Sequence, residues 1–284
     1  MIVYLNGSNI DGAEARVPVN DRGFLFADGV YEVIRVYDGA AFLAEPHMQR
    51  LRGGLDALRI DRAAATGLLE AAERLLDVNR LRQGDATIYI QITRGSAPRR
   101  HAFPPPDVPP TVYVAAQPFT QHPHAYFDRG VAAIAVPDTR WSRCDIKSIA
   151  LLPNVLANQQ AKEAGAFEAL FVRDGALIEG SHSNLFGVLD GELLTYPECN
   201  YILGGITRAL VIDLAREAGI RVREAPIQWE RIPDLEELFL SGTTTEVLPV
   251  TTLDGRPVAD GAPGPITRRL LAAYREYAAG ARVA

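Results

Sequence analysis

The chain has 284 residues, 48% of them hydrophobic, and a net charge of −6. That length accommodates one large or two medium domains with an ample core, and acids and bases are mixed along it, which excludes the single basic face of a nucleic-acid binder. No apolar run approaches the roughly 20 residues that span a bilayer, the N-terminus reaches a turn at Asn6-Gly7 with no basic leader before it, and the mild acidity is the ordinary solubility charge of a cytoplasmic protein.

The first forty residues read as strands and hairpins. Residues 31–37 are rich in β-branched and aromatic side chains, and Asp38-Gly39 supplies a hairpin turn before a return strand over 40–43. A helix is expected over 45–58, opened by Pro46, with Met48, Leu51, Leu55 and Leu58 as its apolar stripe. A second amphipathic helix is expected over 63–76. Strands over 87–93 and 111–114 enclose an ordered loop, 95–110, with five prolines in its second half. The pattern breaks around 117–128, at Pro118, His122, Pro123 and His124. A domain boundary is placed there, giving a smaller N-terminal α+β domain over 1–120 and a larger C-terminal one over 121–284 that carries Lys147. In the second half, strands over 167–172 and 185–189 precede the turns Asp174-Gly175 and Asp190-Gly191, and helices are expected over 153–164, 207–218 and 266–278. This is not a clean βαβ alternation, so the fold class is α+β rather than a doubly wound parallel sheet.

Chemistry concentrates in four stretches. Lys147 lies in Arg143-Cys144-Asp145-Ile146-Lys147-Ser148, and Glu179 opens Glu179-Gly180-Ser181-His182-Ser183-Asn184. Gly204-Gly205-Ile206-Thr207 leads into a helical run, and Ser241-Gly242-Thr243-Thr244-Thr245 follows a strand. Each alone has an ordinary reading: a solvated lysine, a surface glutamate, a capped loop, a polar turn. Together they are the set that a pyridoxal phosphate enzyme needs. A lysine amine forms a Schiff base with an aldehyde, and a carboxylate keeps the ring nitrogen protonated so that the ring withdraws electrons from the substrate carbon. Small residues entering a helix leave N–H groups and the positive end of its dipole to a phosphate. Arg50 matches a phosphate bidentately, or lines the polar face of its helix. The loop after Thr93 gathers Arg94, Arg99, Arg100 and His101 and suits a substrate carboxylate or plain solvent equally, while Tyr31 adds a hydroxyl or packs its strand. Cys144 and Cys199 lack metal-ligand spacing, so no metal is expected; they read as free thiols or as one disulfide.

These stretches, with Phe26-Ala27-Asp28-Gly29-Val30-Tyr31-Glu32-Val33 and Gln91-Ile92-Thr93-Arg94-Gly95, resemble the fold-type IV pyridoxal phosphate enzymes over nearly the whole chain. Within that group they look most like the bacterial D-amino-acid aminotransferases. The resemblance implies a two-domain α+β fold with the active site between the domains. It implies that Lys147 carries the Schiff base and shuttles the proton, and that Glu179 pairs with the ring nitrogen, with Ser181 beside it. Arg50, Ile206, Thr207, Thr243 and Thr244 would hold the phosphate. Arg99-Arg100-His101 is similar to the Arg-x-His pair with which those enzymes trap the substrate α-carboxylate together with a tyrosine, here Tyr31. That pair reaches in from the partner subunit, which implies a homodimer with shared active sites. Related branched-chain L-aminotransferases have Tyr-x-Arg where this chain has Tyr89-Ile90-Gln91. Two positions depart from the D-specific pattern: Gly242 replaces a hydroxyl-bearing residue, and His182 stands where serine is common.

The function so implied is ping-pong transamination, via pyridoxamine phosphate, between D-amino acids of the D-alanine or D-glutamate type and 2-oxo acids. On the same scaffold the rival readings are a branched-chain L-amino-acid or R-selective amine transaminase and an aminodeoxychorismate lyase. A non-catalytic binder is the rival from another class, and the intact Lys147 and Glu179 speak against it.

Overall fold

The computed structural model describes residues 1–280. The chain divides into two compact units, Met1–Thr120 with Ile146–Ala150, and Gln121–Asp145 with the chain from Leu151 onward. The elements of the first run β1 (Ile2–Leu5), β2 (Ser8–Asp11), α1 (Arg22–Phe26), β3 (Gly29–Tyr37), β4 (Ala40–Ala41), α2 (Ala44–Leu58), a 3₁₀ turn (Arg62–Ala65), α3 (Leu68–Val78), β5 (Ala86–Thr93) and β6 (Thr111–Pro118). They form a six-stranded antiparallel sheet in the order β2-β1-β6-β5-β3-β4. The two-residue period of the strands sends Val30, Ile34 and Val36 of β3 and Ile88, Ile90 and Ile92 of β5 into one core, which Met48, Leu51 and Leu55 of α2 and Leu68 and Leu75 of α3 complete. Each large side chain there stabilises the fold by about 1.5–3 kcal/mol on leaving water. On the other face, register sets Tyr31 beside Gln91 and Gln91 beside Tyr113, with Tyr89 two residues along.

The second unit runs α4 (His124–Arg129), β7 (Val131–Pro137), α5 (Leu152–Glu163), β8 (Glu168–Arg173), β9 (Ala176–Gly180), β10 (Asn184–Leu189), β11 (Glu192–Thr195), α6 (Ile206–Glu217), β12 (Val222–Glu224), β13 (Ile227–Gln228), a 3₁₀ turn (Trp229–Asp234), β14 (Glu237–Gly242), β15 (Glu246–Leu253), β16 (Arg256–Pro257) and α7 (Pro265–Gly280). Its mixed sheet has the order β12-β11-β10-β14-β15-β7-β8-β9-β13, with β16 added on β15. β7 is parallel to β8 and to β15, and β11 to β12. α5 packs on β8, and α6 and α7 pack on β14. Phe186 and Phe239 stack at the centre with ring centroids 5.0 Å apart. The Asp-Gly pairs at 38–39, 174–175 and 190–191 all have positive φ at both residues, the backbone of a tight hairpin turn whose twist matches that of its strands. Among the described residues no helix is long and apolar enough to cross a membrane.

Several expectations shift. The single helix over 63–76 is a 3₁₀ turn and α3, separated because Thr66 is extended with ψ 134°. The return strand over 40–43 shortens to Ala40–Ala41, since Leu43 turns to φ 51° and α2 begins at Ala44. The opening strands and hairpins are interrupted by α1, where Asp21 caps the Gly23 N–H at 2.8 Å. The placement of Lys147 is also corrected. The expected C-terminal domain was to carry it, yet Ile146–Ala150 belongs to the first unit. Main-chain pairing is the cause: the Tyr31 N–H donates to the Lys147 carbonyl at 3.0 Å, Val30 bridges Ser148, and the Ile149 N–H donates to the Gly29 carbonyl at 3.1 Å.

Candidate active site

The pairing of Ile146–Ala150 with the start of β3 sets the direction of the Lys147 side chain. Its Nζ lies 4.3 Å from the centroid of the Tyr31 ring, a cation–π contact of about 0.5–1 kcal/mol at an open site. Lys147 is half-buried and Tyr31 likewise, so the amine is reachable by a ligand.

Between Val30 and Ile34, on the core face of β3, stands a carboxylate with no exposure, that of Glu32. It accepts Arg50 Nε at 2.7 Å and Nη2 at 2.9 Å, and lies 2.8 Å from His47 Nδ1. His47 and Arg50 are three residues apart on α2 and so share one face. Burial works to raise the Glu32 pKa, but the Arg50 and His47 hydrogen bonds and the charges of Arg50 and Lys147 prevail and bring it from 4.5 to about 2. Burial lowers His47 despite Glu32; a neutral His47 donates through Nδ1–H. Arg50 is thereby held rigidly against the sheet. A depressed carboxylate pKa adds stability above pH 4.5 that is lost as pH falls toward 2, here at most about 3 kcal/mol. Urea unfolding at stepped pH should show stability falling between pH 5 and 3, and Glu32→Gln should flatten that slope. A slope unchanged by the substitution would mean that Glu32 does not carry the acid sensitivity.

In the second unit Glu179 is the penultimate residue of β9, buried. Oε1 pairs with Arg140, and Oε2 accepts Asn184 Nδ2 and the Leu203 N–H, both at 3.1 Å. Arg140 is itself gripped by Asp138, at 2.9 Å through each of Nε and Nη2, and Asp138 also receives Arg173 at 3.0 Å. Burial pushes the Glu179 carboxyl up to about 7 against the pull of Arg140 and the Leu203 N–H. A cationic N–H brought against it would favour the ionised form further. Ser181 sits on the next turn, but its hydroxyl is engaged by Glu168 at 2.5 Å and Asn158 Nδ2 at 3.2 Å. Glu168, fully buried, also accepts Ser183 Oγ at 2.8 Å and lies 2.9 Å from His182 Nδ1. These bonds and the charge of His182 outweigh burial and lower its pKa. The imidazole that departs from the D-specific pattern therefore helps hold this turn.

Asn184 connects Glu179 to the phosphate-sized stretches. It donates to the Leu203 carbonyl at 2.9 Å and pairs in register with Ser241. Gly205 approaches it so closely that a Cβ there would lie 1.9 Å from Asn184 Oδ1, so only glycine fits. Gly205 is also the N-cap of α6 and has no side chain to cap the first-turn N–H groups at Ile206 and Thr207. After β14, Gly242, Thr243, Thr244 and Thr245 make a turn closed by Thr245 N–H on the Gly242 carbonyl at 3.1 Å. Ser241 Oγ and Thr245 Oγ1 are buried without a hydrogen-bond partner among the described residues. An uncapped helix start and two orphaned hydroxyls, linked through Asn184, are donors of the kind that a phosphate monoester takes. A Cβ on Gly242 would meet Thr245 Oγ1 at an ordinary 3.4 Å, so the missing hydroxyl-bearing side chain at that position is not enforced by crowding.

Arg99, Arg100 and His101 are exposed. The Phe26 ring gathers two of them, with the Arg99 guanidinium 5.0 Å and the His101 ring 5.6 Å from its centroid. Tyr89 donates its hydroxyl to Gln91 Oε1 at 2.6 Å. No guanidinium stands at position 91.

Residues 29–253, from β3 to β15, match the family described as amino-transferase class IV. The chain belongs to the class IV aminotransferases. It is 40% identical over 276 residues to the D-alanine aminotransferase of Staphylococcus aureus (strain COL), with 97% of each chain covered. Among solved structures it is similar to the branched-chain amino acid aminotransferase of Escherichia coli, with 29% identity, a TM-score of 0.89, and 97% of this chain and 93% of that one covered. It is also similar to the branched-chain aminotransferase of the thermophilic archaeon Thermoproteus uzoniensis with norvaline, with 29% identity, a TM-score of 0.85, and coverages of 99% and 95%. This aminotransferase has the α+β architecture of fold type IV.

Sequence reasoning overlooked some of the residues this aminotransferase brings together. Glu32 had a signal, a carboxylate on the inward-facing period of an otherwise apolar strand, and His47-x-x-Arg50 marked one helix face opposite it. Asp138, Arg140 and Glu168 had none, since their partners are set by strand pairing across distant stretches of chain.

Proposed function

We propose that this class IV aminotransferase moves the amino group of D-alanine-type D-amino acids to 2-oxo acids with pyridoxal phosphate. The observation that carries the reading is the likeness, over nearly all of both chains, to D-alanine aminotransferases. The cofactor supplies an aldehyde and an electron sink; the protein supplies the rest. Lys147 would hold the aldehyde carbon and carry the substrate Cα proton, from a position set by the Tyr31 backbone and ring. Glu179, braced by Arg140, would pair with the ring nitrogen, with Ser181 on the same turn. Ile206, Thr207, Thr243 and Thr244, with Arg50 anchored by Glu32, hold the phosphate. Arg99 and His101, with Tyr31, take the substrate α-carboxylate.

The branched-chain L-specific reading has structural neighbours in its favour, but Gln91 is engaged by Tyr89 and provides no cation for a carboxylate on that face. In the working assembly, a homodimer, the Arg99–His101 loop serves the partner's site; the two free thiols, Cys144 and Cys199, suit a reducing cytoplasm. The direct test is a pair of half-reactions with the holoenzyme, D-alanine against L-leucine, followed by the absorbance of the cofactor. Fast conversion with D-alanine and none with L-leucine is expected. The reverse preference would remove the D-specific assignment and leave the family.

A further inference from the structure

The Arg99–His101 loop lacks regular secondary structure, yet a carboxylate trap must hold its cations to within a fraction of an ångström. A buried network beneath it meets that need. Arg22, on α1 and 4% exposed, donates Nη1 to the Arg100 carbonyl at 2.6 Å, with the Ala102 and His101 carbonyls farther off at 3.4 and 3.5 Å. Its guanidinium also lies 4.8 Å from the centroid of Phe26, the ring that Arg99 and His101 share. Arg22 Nε is held at 2.7 Å by Asp28 Oδ2. The same carboxylate takes Arg94 on both oxygens, at 2.8 and 2.9 Å, and Arg94 grips the Leu58 carbonyl at 2.7 Å while its guanidinium covers the Phe103 ring at 3.7 Å. One carboxylate thus bridges two arginines that pin residues 100–103 at both ends.

We propose that Asp28, acting through Arg22 and Arg94, is a positioning residue for the substrate carboxylate. It touches neither substrate nor cofactor, but without it the loop loses the shared anchor that sets where Arg99 and His101 point. The inference rests on the carboxylate-trap reading of Arg99 and His101. Two arginines meeting one carboxylate also explain why Asp28 is held ionised, its pKa lowered against burial by the Arg94 and Arg22 hydrogen bonds.

The test uses holoenzymes of Asp28→Asn, Arg22→Lys, Arg99→Ala and the double variant Arg22→Lys/Arg99→Ala. Steady-state kinetics with D-alanine, cofactor affinity by absorbance titration and thermal unfolding are read for each. Asp28→Asn and Arg22→Lys should raise KM for D-alanine fivefold or more, with kcat and cofactor affinity within twofold of the parent. The double variant should lose less than the product of the two single losses, because with Arg99 gone only His101 is left to position; two independent structural effects would multiply in full. Should Asp28→Asn unfold, Arg22→Lys, which keeps the charge, carries the same test. If Arg99→Ala raises KM while Asp28→Asn and Arg22→Lys leave it unchanged, or lower kcat and cofactor affinity in parallel, the positioning inference is overturned and the trap stands. An unchanged KM in Arg99→Ala itself overturns the trap and the inference with it.

Discussion

Lys147→Ala is expected to reduce transamination of D-alanine by about 10³–10⁴-fold or more, since the residue is assigned both the nucleophile and the proton carrier. The fold should survive. The segment is tethered by the Lys147 carbonyl, the Ser148 bridge and the Ile149 N–H, all main-chain contacts that alanine retains. What is removed is the contact over Tyr31 at 4.3 Å and one favourable charge near Glu32, together about 1 kcal/mol or less at a half-buried position. The substitution therefore separates chemistry from stability. Single-turnover rates and unfolding temperature, measured on the same preparation, check it. Turnover near that of the parent, in a folded protein, would mean that another group does the work assigned to Lys147.

Glu179→Ala should have the second-largest effect, on activity and on stability together. It removes the carboxylate assigned to the ring nitrogen, and it deprives buried Arg140 of one of its two carboxylate partners while leaving Asp138 in place. A loss of about 10²–10³-fold in kcat matches the removal of a single preorganised electrostatic partner. A stability loss of about 1–3 kcal/mol follows from the uncompensated donors of Arg140, Asn184 and Leu203. Glu179→Gln discriminates between the two effects. It keeps the shape and can still accept hydrogen bonds, so stability should recover in part, but it cannot become anionic, so activity should not. The sign with pH follows from the carboxyl being pushed up to about 7. In the cofactor-free protein Glu179 favours folding below pH 4.5, and that contribution is lost as pH rises through 7. Kinetics with D-alanine and urea unfolding of the three proteins provide the check, and normal turnover in Glu179→Gln would end the ring-nitrogen assignment.

How much was legible in advance depended on the range of the interaction. Asp38-Gly39, Asp174-Gly175 and Asp190-Gly191 were readable as turns because a tight hairpin needs two residues tolerant of positive φ, a purely local demand. The helix near 45–58 and the strand near 87–93 were readable because their apolar periods are local too. Helix ends and the break at Thr66 were not, since packing against the sheet decides where a marginal turn stops. Cys144 and Cys199 read as thiols or as a disulfide; the structure has both free.

The candidate site divides along the same line. The amino-acid sequence by itself determined which side chains were available: Lys147, Glu179, the glycine-led entry to α6, the threonine turn and the Arg99-Arg100-His101 loop, in an order that resembles one enzyme family. It could not say what each of them leans on. Only the tertiary structure decided that the Lys147 segment pairs with β3 and joins the first unit, that Arg50 is clamped by a buried Glu32, that Glu179 is braced by Arg140, and that Asp28 ties down the loop through Arg22 and Arg94. The reason is electrostatic. A charge removed from water is costly unless partners surround it, and those partners converge only when strands distant in the chain come into register.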